Sequence, residues 1–355
     1  MTPPARRLSR SCGEADVIRD AFERLRARGH DSAELVEAAI HGMVGILDRH
    51  TSYMSPKVFA ENLLQTRGEF GAVGLEITND RGTVKVVTPI EGSPSVLAGI
   101  RPGDTITEID GQTLEGLPLN QVTRMLRGPI GSEISLRLVR SGESQPLMLT
   151  LTRAVVRVES VKYERKGDVG YIRVSSFAER TDTNIQRTIS ALKRQIGVKL
   201  KGYVLDLRNN PGGLLDQGIA VADVFLTGGE VVSTRGRTRS DNNVYRAGRG
   251  DATGGKPVIV LINEGSAGSS EIVAGALQDN HRATIVGMKS SGLATVQTIL
   301  LLSGNNGALR LTTANYYVPS GRAMAPSGIE PDILVSQSAE AEANTTISGE
   351  GAPIP

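Results

Sequence analysis

The chain has 355 residues, enough for two or three domains with separate hydrophobic cores, and 39% of them are apolar. With 40 basic and 38 acidic residues the formal net charge is +2, so no nucleic acid partner is expected. The single cysteine, Cys12, excludes an intramolecular disulfide and a thiolate metal cluster, and the four histidines are scattered. We therefore expect neither a metal nor another cofactor.

The N-terminal region, residues 1–67, is predicted to be helical. Apolar residues recur near helical spacing from Ala15 to about Asp48 with a break at Gly29, which predicts two amphipathic helices. A third helix is predicted from Pro56 to Arg67. The apolar run of a secretory signal does not follow the basic start, and nothing approaches the roughly 20 apolar residues of a membrane span. The sequence therefore predicts neither a signal peptide nor a transmembrane helix.

Residues 68–155 are predicted to form a small β-rich unit. Short alternating runs such as LEIT, TVKVVTPI and ISLRLVR are separated by glycine and proline, and one helix is predicted from Leu119 to Leu126.

Strands and helices alternate through residues 156–336, with helices predicted at 182–196, 214–226 and 270–279. The runs YVLDL and VIVLI are apolar on both faces, which predicts strands covered on each side by helices in an α/β core. The polar, acidic tail at 337–355 is predicted to be disordered.

The β-rich unit resembles a PDZ domain from end to end, through FGAVGLEI, GSPSVLAGIRPGDTITEIDGQTLEGL and NQVTRMLRGPIGSEISLRLVR. PDZ domains add the extended C-terminus of a ligand to a sheet edge, and backbone N–H groups of a loop hold its carboxylate. The resemblance implies a carboxylate loop and an apolar pocket formed by Gly71, Ala72, Val73, Gly74, Leu75, Ile77, Val122 and Leu126. The alternative is that these glycines are ordinary turns and the aliphatic residues are core.

Further segments resemble the carboxyl-terminal processing peptidases, which are serine peptidases. They are LDRHTSYMSP, GDVGYIRVSSFAERT, DLRNNPGGLLDQGIAVADVFL and the block from NEGSAGSSEIVAGAL to SGRAMAPSGIEPDI, so that the resemblance covers residues 34–336. It implies a multidomain α/β and α+β chain with N-terminal helices, a PDZ-like domain and a crotonase-like (ClpP/crotonase) α/β core. It also implies a periplasmic or cell-envelope location. The implied partners are protein or peptide C-termini, and an active family member or a second copy of the chain.

Two turns of the core have chemical interpretations. In DLRNNPGG a strand turns tightly into a helix, so that backbone N–H groups of Gly212 and Gly213 would face an oxyanion; the alternative is an ordinary turn. In NEGSAGSSEIVAGAL a turn precedes a helix, where a nucleophile is presented beside the positive helix end. The alternative there is a serine cap with Glu271 in the first turn.

The resemblance fails at the two residues that perform cleavage. The family's nucleophilic serine stands three residues before the glutamate, a position occupied here by Gly268. Its lysine base precedes a Val-Gln pair, and counting from Val296 that position is Leu293. Glycine carries no nucleophile and leucine accepts no proton, so both groups are predicted to be lost. Gln297, which would orient the lysine, is retained.

Neighbouring residues are weak substitutes. Ser266 and Ser269 flank the nucleophile position, and the nearest lysine, Lys289, would lie ~13 Å along an extended segment from Leu293. The sequence therefore favours a peptide-binding protein without peptidase activity. An active serine endopeptidase that uses Ser266 or Ser269 is the alternative. A third hypothesis is a non-peptidase activity like that of acyl-CoA enzymes, and no residue pattern in the sequence supports it.

Overall fold

The computed structural model describes residues 14–336 except 49, 81, 144, 158 and 249. The predictions for the first 13 residues and for the tail at 337–355 therefore lie outside the described residues. The chain divides into two compact units, the described parts of Met1–Phe59 with Gln297–Thr312, and those of Ala60–Val296 with Thr313–Pro355.

The N-terminal region contains the predicted helices. Its elements are α1 (Glu14–Arg26), α2 (Ser32–Gly45), β1 (Ser52–Met54) and α3 (Pro56–Thr66). Gly29 lies between α1 and α2 with φ 92°, a left-handed conformation that favours glycine. Several apolar side chains here are exposed, including Ile18 at 60% and Ile46 at 84%. Among the described helices, none combines the length and apolar character of a bilayer-spanning segment.

The β-rich part is built around a sheet with the strand order β3-β4-β5-β7-β8. Its elements are β2 (Glu69–Ala72), β3 (Leu75–Asp80), β4 (Thr83–Pro89), α4 (Pro94–Leu97), β5 (Thr105–Ile109), β6 (Gln112–Thr113), α5 (Leu119–Leu126), β7 (Glu133–Val139), β8 (Leu147–Thr152) and β9 (Ala154–Arg157). Strand β3 is an edge strand of this sheet, and β2 pairs separately with β9. Helix α5 occupies the predicted residues. This part buries a core of its own, which includes Val122 and Leu136.

The predicted boundary at residue 155 falls inside a strand. Strand β9 continues to Arg157, which pairs with Glu69 of β2, and Val156 pairs with Phe70.

The following part has the alternating order that the sequence predicts. Its elements are β10 (Val161–Lys166), β11 (Val169–Val174), α6 (Thr181–Ile196), β12 (Gly202–Asp206), α7 (Leu215–Phe225), β13 (Glu230–Gly236), β14 (Asn243–Arg246), β15 (Val258–Ile262), α8 (Ser269–Asp279), β16 (Thr284–Gly287), β17 (Thr295–Leu301), β18 (Ala308–Tyr317) and β19 (Ile333–Leu334). One sheet has the order β10-β11-β12-β15-β16-β19 and is parallel from β11 onward. Elsewhere β13 pairs with β14 and with the end of β18, while β1 pairs with the start of β18.

The expectation that helices cover both faces of the parallel strands fails at one position of β15, whereas no residue of β12 is exposed. In β15, Val258, Val260 and Ile262 are buried, whereas Ile259 between them is 40% exposed. The buried face shares one core cluster with residues of α6, α7 and α8. The apolar run was misleading because folded proteins also expose apolar side chains, so that composition alone does not tell a covered face from an open one.

Candidate functional site

The turn between β15 and α8 contains Gly268, the predicted nucleophile position. Gly268 is the N-cap residue of α8 and has φ 54° and ψ −114°. A Cβ atom built on it would have no neighbour nearer than 3.8 Å, from Gly212 Cα and Pro211 O, so there is room for a side chain. Nucleophilic serines of other enzymes sit on strained strand-to-helix turns of this kind. The turn at Gly268 therefore has an unusual backbone conformation and room for a side chain, and glycine supplies none.

The hydroxyl of Ser266 is part of the turn. It is fully buried, donates to the carbonyl oxygen of Leu207 at 2.8 Å and accepts the N–H of Asn263 at 3.0 Å. It links the residue after β12 to the residue after β15.

The hydroxyl of Ser269 is also directed at the backbone. Its Oγ lies 3.2 Å from the carbonyl oxygen of Gly213 and 3.1 Å from that of Leu214. In the neighbouring position, Ser270 Oγ donates to the carbonyl oxygen of Asn210 at 3.0 Å. These serines tie the start of α8 to the turn that follows β12.

Lys289 pairs with a carboxylate at the surface. Its Nζ lies 3.3 Å from Glu330 Oε1, and both side chains are exposed. Residues 289–294 form no strand. Throughout the described residues, no serine hydroxyl is hydrogen-bonded to a lysine amine.

Leu293, at the lysine position, lies in the loop before β17 and is 42% exposed. The loop is held by Glu271, a fully buried residue. Glu271 Oε1 accepts Ser290 Oγ at 2.6 Å and the N–H of Gly292 at 2.8 Å, and Oε2 accepts the N–H of Gly268 at 3.0 Å. Burial raises the pKa of Glu271, and these hydrogen bonds oppose that shift.

This carboxyl group joins the turn at the nucleophile position to the loop that carries the lysine position. The sequence pattern predicted only that Glu271 lies in the first turn of a helix. Its position three residues after the cap was a signal for the bond to Gly268, but nothing in the sequence predicted the loop on its other side.

The oxyanion prediction requires a revision at Gly212. Its N–H donates to Asn210 Oδ1 at 2.9 Å, so it is already engaged. The N–H groups of Gly213 and Ser269 have no protein acceptor within the described part of the chain. A Cβ on Gly212 would lie 3.0 Å from Ser269 N, which shows how closely the turn approaches the start of α8. The N–H of Ser269 was missed, although the residue after a nucleophile commonly supplies an oxyanion donor.

Gln297 lies in β17 and belongs to the first of the two units. Its Nε2 donates to Thr312 Oγ1 at 3.0 Å, and that hydroxyl donates to Asp48 Oδ1 at 3.1 Å. Asp48 also accepts Thr51 Oγ1 at 2.6 Å, and this bond is the main cause that lowers the pKa of Asp48 to about 2. Gln297 is thus part of a network with the LDRHTSYMSP segment.

A cavity of about 310 Å³ is lined by residues of β3 and α5. Its lining is Phe70, Ala72, Val73, Gly74, Leu75, Glu76, Ile77, Ile90, Thr123, Leu126, Arg127, Val156, Arg157, Glu159 and Lys162. Six of the eight predicted residues are among them. The other two lie elsewhere: Gly71 pairs with Val155 in the β2–β9 ladder, and Val122 is in the core. No motif predicted a contribution from the segment 156–162, because this segment follows the PDZ-like pattern.

In the loop before β3, the backbone carbonyl groups are hydrogen-bonded within the domain. The carbonyl oxygen of Gly74 accepts Ile90 N at 2.9 Å and Ser95 Oγ at 2.5 Å, and that of Val73 accepts Ser95 N at 2.9 Å. The N–H groups of Val73 and Gly74 have no acceptor in the described structure. Successive backbone N–H groups of this kind form a concavity for an anion.

Within residues 14–336, apart from the five that are not described, no three His, Cys, Asp or Glu side chains form a group able to hold a metal ion.

Comparisons with known proteins agree with the two resemblances. The model of peptidase family S41 matches residues 168–335, and a PDZ domain model matches residues 85–140. A carboxy-terminal-processing protease of Bartonella bacilliformis is 49% identical over 322 residues, which cover 90% of this chain and 74% of that protein. A carboxyl-terminal-processing protease of Synechocystis is 36% identical over 307 residues, covering 84% and 70%.

Among solved structures, the photosystem II D1 C-terminal processing protease has a TM-score of 0.54 and 28% identity, and the match covers 90% of this chain and 92% of that one. The predicted fold class is therefore confirmed, and the chain belongs to peptidase family S41, with carboxy-terminal processing proteases as its relatives and with a PDZ domain.

Proposed function

We propose that this chain binds protein C-termini through its PDZ domain and does not cleave peptide bonds. The observation that carries the proposal is the pair of residues at the cleavage positions, Gly268 and Leu293. A serine–lysine peptidase needs a hydroxyl to attack the carbonyl and an amine to take its proton. Removal of either member of such a pair abolishes most of the rate enhancement.

The alternative, an endopeptidase with a displaced nucleophile, is disfavoured by the hydrogen bonds of its candidates. Ser266 and Ser269 donate to backbone carbonyls, and Lys289 pairs with Glu330 at the surface. Either serine would have to leave a backbone partner before it could attack. The relatives are named as proteases, so the experiment below is designed to detect an active endopeptidase as well.

Peptide binding is supported by the geometry of the PDZ domain. Strand β3 is the edge of its sheet, and the cavity beside it is lined by Leu75, Ile77 and Leu126. The N–H groups of Val73 and Gly74 are available for a terminal carboxylate. A peptide added to β3 would thus have backbone partners, an apolar pocket and an anion site.

The cleavage half of the proposal is tested with the full chain and casein. We expect no cleavage above background, and no labelling of Ser266 or Ser269 by a fluorophosphonate. The Ser266→Ala and Ser269→Ala variants are run in parallel, with the Bartonella bacilliformis protease as a positive control. Cleavage that either substitution removes, in a variant that still unfolds cooperatively, would establish the alternative.

The binding half is tested by fluorescence polarisation with a peptide that ends in an apolar residue. We expect the C-terminally amidated peptide to bind at least about tenfold more weakly, because it cannot accept the same charge-assisted hydrogen bonds. Leu126→Asp, inside the cavity, should abolish binding. Leu97→Asp is the matched control, because Leu97 is 85% exposed in the same domain and does not line the cavity. Equal affinity for both peptides would contradict the proposal.

The proposal includes a scaffold role in which an active family member or a second copy of the chain is the partner. Light scattering on the chain, alone and mixed with an active relative, tests both. This part would be rejected if the chain has a mass of 37.6 kDa alone and keeps it in the mixture, with the relative present as a separate species.

A further inference from the structure

Glu76 and Lys162 form an ion pair beside the peptide-binding edge. Glu76 lies on β3, and Lys162 lies on β10 of the six-stranded sheet. Lys162 Nζ donates to Glu76 Oε1, and both residues line the cavity. The side chains are 27% and 42% exposed, respectively, so the pair is in contact with solvent.

The position of Glu76 along β3 decides which ligand residue it meets. The pairing of β3 with β4 shifts register between Glu76 and Ile77, and the extra residue is on β4, because Glu76 pairs with Thr88 and Ile77 with Val86. Strand β3 therefore keeps its alternation, so that Leu75 and Ile77 share one face and Glu76 projects from the other. Residues directly opposite each other on paired strands share a face. A peptide that places its last side chain beside Leu75 and Ile77 therefore places its penultimate side chain on the face of Glu76.

The cationic side chains that line this cavity all have a partner, whereas some of its carboxylate oxygens have none within the described residues. Of the three cations in the lining, Lys162 pairs with Glu76, Arg157 pairs with Glu69, and Arg127 stacks at 4.0 Å over Phe70. Glu76 Oε2 and the carboxylate of Glu159 have no partner within the described residues. A carboxylate offers about four acceptor sites, so Glu76 can accept a second cation beside Lys162.

We propose that the PDZ domain selects the penultimate residue of its ligand by charge through Glu76, with basic side chains favoured over acidic ones. The inference rests on the proposed function, since it assumes that peptide C-termini add to β3. Lys162 keeps the carboxylate of Glu76 at the groove and partly neutralises it. An acidic penultimate side chain would face Glu76 and lose affinity.

The experiment uses the full chain and three peptides that differ only in a penultimate Lys, Ala or Glu, each ending in the same apolar residue. We expect the peptide with Lys to bind about fivefold more tightly than the peptide with Glu, the upper range for partly exposed ion pairs. Glu76→Gln should bring this ratio close to one. The double exchange Glu76→Lys with Lys162→Glu should reverse it if the position on β3 decides the preference.

Glu164→Gln is the matched control, because Glu164 is an acid on the same strand as Lys162, pairs with Lys166 and does not line the cavity. It should leave the ratio unchanged. Raising the salt concentration should reduce the ratio without abolishing binding.

The two proposals fail in distinguishable ways. If the peptides bind and amidation weakens them, but Lys, Ala and Glu bind equally or Glu binds best, the charge selection is wrong and C-terminus binding stands. If none of the peptides binds, or amidation has no effect, both proposals are wrong.

Discussion

Gly268, at the predicted nucleophile position, has a backbone conformation that is unusual for a residue with a side chain. Its φ of 54° lies in the region that L-residues rarely adopt, although a Cβ atom would meet nothing nearer than 3.8 Å. The cost of a side chain at this position is therefore conformational and not steric. Gly287 differs, because with φ 128° its Cβ would also lie 2.1 Å from the backbone oxygen of Ile262.

We predict that Gly268→Ala lowers the free energy of unfolding by about 1–3 kcal/mol, the usual cost of a residue in a sparsely populated backbone region. Gly287→Ala should lower it by more than roughly 4 kcal/mol, because strain is combined with overlap against the backbone. Denaturant unfolding of both variants measures the difference. Equal losses would show that the turn at 268 is sterically closed.

At the scale of elements, three serines connect the ends of the central strands to the start of α8. Ser266 bridges the residues after β12 and β15, and Ser269 and Ser270 donate to the turn after β12. Glu271 adds a bond to the loop before β17. In this arrangement the serine-rich composition of the turn serves to satisfy buried backbone groups.

We predict that Ser266→Ala destabilises the protein by about 1–3 kcal/mol, because it leaves the buried carbonyl of Leu207 and the N–H of Asn263 without this partner. Ser190→Ala is the control, since Ser190 is exposed on α6 and should change stability by about 0.5 kcal/mol or less. Chemical denaturation compares the two. A Ser266→Ala variant as stable as wild type would remove the structural explanation for this serine.

At the scale of the whole molecule, two separate hydrophobic clusters organise the second unit. One contains Leu136 and other residues of the PDZ domain, and the other contains Leu205 and residues of the α/β core. We propose that residues 68–155 and residues 156–336 form two domains. Because β9 ends at Arg157, a separately expressed PDZ domain should extend to at least that residue.

We predict that Leu136→Ala and Leu205→Ala affect different calorimetric transitions. Both side chains are fully buried, so each substitution should cost about 2–5 kcal/mol in its own cluster. Leu136→Ala should also weaken peptide binding, whereas Leu205→Ala should leave it near the wild-type value. A single transition that both substitutions shift equally would show that the two clusters unfold together.

Much of the fold was predictable from local patterns. Helix α5 has the predicted bounds, and α1, α2 and the alternation of strands and helices followed from spacing and from the position of glycine. The family was recognisable because its motifs are short and keep their order. The residue types at 268 and 293 were also readable, since a side chain's functional group is a property of a single residue; that these are the cleavage positions stays a prediction.

Only the tertiary structure decided which groups meet. It directed the hydroxyls of Ser266 and Ser269 at backbone carbonyls, joined Glu271 to a distant loop and placed Lys162 beside Glu76. It also moved Val122 from the predicted pocket into the core and left Ile259 exposed. The physical reason is that residue type and spacing set the chemistry and the local backbone, whereas burial and hydrogen-bond partners depend on segments far apart in the chain.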